Sequence, residues 1–253
     1  MFGVLAFPTA LVYRISNTRE AQMRWMLAWT LGLAGCGTSD ANKTVAVPRN
    51  DAELRDFTGV ALASDDRVEI VQGPTFAVRV EGDKAAQDGL DIHRDGDMLK
   101  IGRKQGNFWG RGNDGARIRI TMPTIATAVL AGSGDISIDR TGEDFAATLS
   151  GSGDMTIGQL RGDRAALTVA GTGTIAAAGA VRHLTLSVAG TGDIDARQVK
   201  ASEARVSIAG TGDVSADIHG PVEISLVGSG SATLGQDARC VVNRVGTGTV
   251  DCG

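Results

Sequence analysis

Carboxylates recur at a fixed place in this sequence. Asp135, Asp154, Asp193 and Asp213 each stand three residues after the first glycine of a Gly-Ser/Thr-Gly triplet, and the triplets begin at Gly132, Gly151, Gly171, Gly190, Gly210, Gly228 and Gly246. If the repeats stack as neighbouring strands, equivalent side chains lie about 4.8 Å apart. Asp135 with Asp154, and Asp193 with Asp213, would then present paired oxygens that suit Ca²⁺. The same residues also suit a purely structural role, in which Asp, Ser and Thr accept turn amides and keep the face wet. Thr174 and Ser231 interrupt the carboxylates, as a structural ladder limiting like-charge repulsion would need. The expectation is no cofactor, with calcium the one alternative the pattern leaves room for.

The other reactive side chains are few. His93, His183 and His219 sit in unrelated contexts with no paired zinc spacing. Gly171-Thr-Gly173-Thr-Ile-Ala176 imitates a dinucleotide fingerprint, but that chemistry needs a helix after the turn. Here the same glycine pair simply recurs in coil after coil. Cys240 and Cys252 fall six residues before and six after Gly246. By parity both face inward on opposite walls of the last coil, which favours a disulfide in an oxidising compartment; two buried free thiols are the alternative.

The elements that position these residues follow from the repeat. Successive triplets are spaced 19, 20, 19, 20, 18 and 18 residues apart, and a period of this size marks a solenoid. Aliphatic residues stand two and four positions before the first glycine of the first six triplets, such as Leu130 with Ala128 and Ile208 with Val206, and Arg244 takes the inward place two before Gly246. Aliphatic residues also stand four and six positions after those six glycines, such as Ile136 with Ile138 and Ile194 with Ala196. That parity is a strand period, so each coil holds two short strands with one inward face. The fold class expected is all-β, a right-handed parallel β-helix with coils of 18–20 residues. A hexapeptide helix would place its aliphatics six apart, and a calcium β-roll would need two nine-residue turns per coil.

Four segments follow. Residues 1–35 read as a leader, with Met23 the economical start: Arg24 precedes an apolar core too short to span a bilayer. Leu33-Ala34-Gly35-Cys36 resembles the bacterial lipobox, which implies lipidation at Cys36, and the Gly37 that follows favours export to the outer membrane. Residues 36–50 suit a tether. Residues 51–125 alternate without the glycine signature and are expected to form irregular coils and a cap. The best hairpin within them turns at Arg94-Asp95-Gly96-Asp97. Residues 126–253 carry the seven triplet coils.

One loop, Gly102 to Gly115, holds Phe108, Trp109 and Arg111. It reads either as an aromatic, basic contact loop or as a plug for a coil edge. Glycine at 35 of 253 residues and aromatics at 4% suit thin stacked strands and argue against an aromatic-walled pocket. A net charge of -4 leaves no electrostatic footprint for nucleic acid.

Several stretches together carry a resemblance: Phe57 with Val60, Val68-Glu69-Ile70-Val71-Gln72-Gly73, Leu99-Lys100-Ile101-Gly102, Ile118-Arg119-Ile120-Thr121-Met122-Pro123, and Leu130-Ala131-Gly132-Ser133-Gly134-Asp135-Ile136. In order and spacing, over about residues 56–250, they resemble the auto-transporter adhesin, head GIN domain family. The resemblance implies a secreted β-helical domain of bacterial envelopes and carries over no catalytic residue. The expected function is therefore a non-catalytic binding, adhesin-like or structural module. It would be attached to the outer membrane through the Cys36 lipid, facing the periplasm or the surface, with a protein or glycan as partner. A glycan-active enzyme or a periplasmic regulatory partner is the alternative.

Overall fold

The computed structural model describes residues 47–48, 54–104 and 115–253. Cys36 and the loop residues Phe108, Trp109 and Arg111 lie outside the described residues. The strands in chain order are β1 (Val47–Pro48), β2 (Gly59–Leu62), β3 (Arg67–Gln72), β4 (Ala77–Glu81), β5 (Leu90–Asp95), β6 (Met98–Arg103), β7 (Arg117–Met122), β8 (Thr127–Leu130), β9 (Asp135–Ile138) and β10 (Asp144–Leu149). They continue as β11 (Asp154–Leu160), β12 (Arg164–Val169), β13 (Thr174–Gly190), β14 (Asp193–Gly210), β15 (Val214–Ile218), β16 (Pro221–Gly228), β17 (Ser231–Thr233), β18 (Arg239–Gly246) and β19 (Thr249–Asp251). A five-residue helix, α1 (Lys84–Asp88), joins β4 to β5, with the Asp83 carboxylate accepting the Ala86 amide.

These strands form a β-solenoid with two parallel walls. The first wall stacks β2, β8, β10, β12, residues 183–190, residues 203–210, β16 and β18. The second stacks β3, β9, β11, residues 174–181, residues 193–201, β15, β17 and β19. Strands β13 and β14 each bend from the second wall onto the first, so one long strand serves two rungs.

The period-two pattern decides which side chains enter the core. Leu130, Leu149, Val169, Val188, Ile208 and Leu226 stack along the inside of the first wall, and Ile136, Met155, Ile175, Ile194 and Val214 along the second; all are buried. A single rung does not bury enough apolar area to offset the entropy of ordering it, whereas stacked rungs share one interior.

The triplets form the turn between the walls, and stacking explains their glycines. A Cβ at Gly153 would lie 1.8 Å from the Gly134 carbonyl oxygen, and one at Gly212 would lie 2.0 Å from that of Gly192. Each turn rests directly on the turn below, leaving no space for a methyl group.

The N-terminal half departs from simple winding. β2 pairs in parallel with β6 on one side and β8 on the other, and β3 likewise lies between β7 and β9. The first rung in sequence is thus flanked by the second and the third. The second rung is edged by antiparallel strands: β5 folds back on β6 in the hairpin expected at Gly96, and β4 runs against β7 with β1 beyond it. These antiparallel strands cover the edge that further parallel rungs would otherwise extend. Among the described residues, no helix is long and apolar enough to cross a membrane.

Candidate binding face

The first wall turns two rows of side chains outward, most of them polar. Asp144, Arg164, His183 and Glu203 occupy one row on successive rungs, and Ala146, Ala166, Thr185, Arg205, Glu223 and Val241 the next. Neighbours pair along the stack. Arg164 grips Asp144 with two bonds, Nε to Oδ1 at 3.1 Å and Nη2 to Oδ2 at 2.9 Å. Arg205 places Nε and Nη2 at 3.0 and 2.8 Å from Glu223 Oε2, and His183 Nδ1 meets Glu203 Oε1. The hydrogen bond from Arg164 holds the Asp144 carboxyl below its ordinary value, and the same pairing raises the guanidinium.

Exposed pairs of this kind contribute little to stability. Their consequence is a run of paired charges along the outer wall. Two adjoining hollows lie over them, of about 490 Å³ at His183, Glu203, Arg205, Glu223 and Arg239, and about 410 Å³ at Asp144, Ala146, Arg164 and Ala166. His183 and Thr185 line both, so the two shallow hollows adjoin on the outer face of the first wall. Sequence reading passed over these residues. Their signal is the rung length itself: Arg164 follows Asp144 by 20 residues, Glu203 follows His183 by 20, and Glu223 follows Arg205 by 18.

The aspartates singled out by spacing line the second wall at its turn. Asp154 Oδ1 accepts the Thr174 amide at 3.1 Å, Asp193 Oδ1 the Asp213 amide at 2.8 Å, and Asp213 Oδ1 the Ser231 amide at 2.8 Å. Asp135 instead takes Arg67, Nη2 to Oδ2 at 3.2 Å. Each carboxylate therefore spends one oxygen on the next rung or on a cation. Among the described residues no group of three or more His, Cys, Asp or Glu is arranged to hold a metal ion.

Asp66, which no sequence pattern marked, is fully buried. Its Oδ1 accepts the Ala116 amide at 2.7 Å and contacts Arg103 Nη2, while Ser64 Oγ donates to Oδ2 at 2.7 Å. Arg103 and Ala116 flank residues 105–114, so one carboxylate ties together both ends of the segment that carries Phe108 and Trp109. At the far end of the chain Cys240 and Cys252 are joined by a disulfide with Cα atoms 6.4 Å apart. His219 sits between two carboxylates, Nδ1 2.9 Å from Asp237 Oδ2 and Nε2 3.2 Å from Asp217 Oδ2. The Asp237 hydrogen bond and the Asp217 charge raise its pKa.

Parallel rungs stacked around a buried apolar interior define a β-solenoid. The chain belongs to the family described as "Putative auto-transporter adhesin, head GIN domain", which matches residues 56–238. Solved structures that share the fold include the following three. A "putative lipid binding protein" from Parabacteroides distasonis is 20% identical with a TM-score of 0.66, covering 85% of this chain and 98% of that one. A "putative adhesin" from Bacteroides fragilis is 18% identical with a TM-score of 0.70, over 83% and 98% of the two chains. A "putative adhesin" from Parabacteroides merdae is 19% identical with a TM-score of 0.60, over 83% and 94%. No curated relative matches the chain.

Proposed function

We propose that this chain is a cell-envelope lipoprotein, anchored in the outer membrane through Cys36, whose solenoid is a non-catalytic, adhesin-like module binding a protein or glycan. The family and the names of the similar structures support the adhesin-like reading, and the lipobox-like stretch ending at Cys36 supports the anchor. The observation that carries the binding role is the outer face of the first wall, where two adjoining hollows are lined by paired charged side chains on successive rungs. Asp144, held below its ordinary value by Arg164, is not suited to act as the general acid of glycan hydrolysis, which needs a raised carboxyl pKa.

Protease accessibility on intact cells, with disrupted cells as control, tests the placement. Digestion on intact cells supports a surface-binding module. Protection until disruption would replace it with a periplasmic structural or regulatory role. Cys36→Ser should move the chain from the membrane fraction to the soluble one; retention in the membrane would refute the lipid anchor.

A further inference from the structure

The last rung, β18 with β19, differs from the others in two ways. Each of its strands pairs with the preceding rung on one side, and among the described residues nothing pairs with the other edge. Side chains on its outer face also change character. The row that carries Ala189 and Ala209 on earlier rungs ends in Val227 and Val245, and the row of Arg205 and Glu223 ends in Val241. These valines and Val242 are the exposed large hydrophobic residues of the described chain, with Val241 at 67% and Val245 at 69%. This rung also lies past residue 238, where the family match stops.

Edges of this kind attract another strand unless something blunts them. The opposite end is blunted by antiparallel β1, β4 and β5, as described above. At β18 the one inward charge is Arg244, but its Nη1 donates to the Gly248 carbonyl of its own turn at 2.9 Å. The guanidinium is drawn back to the rung and does not project across the edge.

We infer that this edge is a homodimer interface, in which β18 pairs antiparallel with β18 of a second copy about a two-fold axis at Asn243. The backbone supports that register. The Arg239 amide donates to the carbonyl of Gly220, the residue just before β16, so by alternation the amides and carbonyls of Cys240, Val242 and Arg244 point to the free side. With Asn243 on the axis, Val242 and Arg244 of opposite copies exchange both backbone bonds. Val241 then stands directly across from Val245 of the second copy in a close, non-bonded pair, and Val227 extends the strip. The patch is self-complementary, as a two-fold interface requires.

The area sets the strength. The eight residues of β18 span roughly 26 Å, and two walls about 10 Å apart with their outer side chains make an end face roughly 20 Å wide. That gives about 500 Å² per copy and about 1,000 Å² in total, the lower limit for a specific interface. The dimer is weak, with Kd on the order of micromolar or above.

Sedimentation of the purified full chain as a function of concentration tests this. The expected result is a monomer–dimer equilibrium that V241K with V245K abolishes, while an unchanged melting temperature shows that the solenoid still folds. Asn243→Cys, lying on the two-fold axis, should crosslink to its counterpart under mild oxidation and double the chain mass. A single one-chain species up to about 1 mM, a dimer that survives the double lysine variant, or a dimer without the crosslink would each overturn the inference.

Discussion

Removing the disulfide should loosen one rung and leave the rest of the solenoid intact. Cys240 and Cys252 are 12 residues apart, and closing a loop of that length removes about 9.5 cal/mol/K from the unfolded ensemble, or about 2.8 kcal/mol at 25 °C. In a stack where each rung contacts only its neighbours, a terminal rung opens before the others do. β18 and β19 have a neighbour on one side only, and the Cys240 and Cys252 side chains pack against the end of the core. The released free energy therefore acts on local opening. In the Cys240→Ser/Cys252→Ser double variant, amides of β18 bonded to β16 should exchange about a hundredfold faster, while amides of β10 and β12 keep their protection. Hydrogen exchange read by NMR or mass spectrometry, in dilute solution, separates the two regions. Unchanged protection in β18, or an equal loss throughout, would refute the argument that the bridge stabilises the last rung alone.

Four further outcomes are expected. Gly212→Ala should cost about 3 kcal/mol or more, since overpacking against a carbonyl forces a backbone shift. Gly102→Ala, whose added Cβ meets nothing within 4 Å, should be nearly neutral, and urea titration of both variants checks the contrast. Asp66→Ala removes the buried acceptor of the Ala116 amide and the closest carboxylate of Arg103, which keeps the Ala86 carbonyl. With Arg103 at 24% exposure, the loss should be about 2–3 kcal/mol, or a melting temperature lower by about 5–10 °C. His219 should titrate by NMR above the ordinary histidine value because Asp237 and Asp217 stabilise its cation. That contribution to stability is fully present below the unfolded-state pKa and is lost as pH rises through the raised folded value. A His219→Gln variant should accordingly fall short of the wild type at acid pH and match it at alkaline pH. Calcium or a chelator should leave the melting temperature unchanged, because Asp154, Asp193 and Asp213 each commit an oxygen to the amide of the next rung; a clear rise with calcium would restore the metal reading.

Much of this architecture is legible in the sequence because it is local and periodic. The triplets at Gly132 through Gly246 mark every turn of the regular stack, and the parity of residues such as Leu149 and Met155 tells inside from outside. Repetition also makes contacts one coil apart readable: adding 18 or 20 to Asp144, His183 or Arg205 lands on its partner. The hairpin at Gly96 is local in the same sense, needing only a turn residue between two alternating strands.

Tertiary structure decided what periodicity leaves degenerate. The strands at residues 59–72 and 98–122 alternate alike, so their hydrophobic pattern fits any rung order. Only packing places the first rung between the second and the third. Ser64-Asp65-Asp66-Arg67 reads as an exposed turn, yet Asp66 is buried because the rung at Gly132 to Gly134 covers it while Arg103 and the Ala116 amide arrive from 37 and 50 residues away. The sequence alone determined a stack of two-walled coils, since an inward period of two and stacked glycine turns admit little else. The order of the first rungs and the burial of Asp66 against Arg103 and the Ala116 amide were decided by contacts between segments whose separation carries no period.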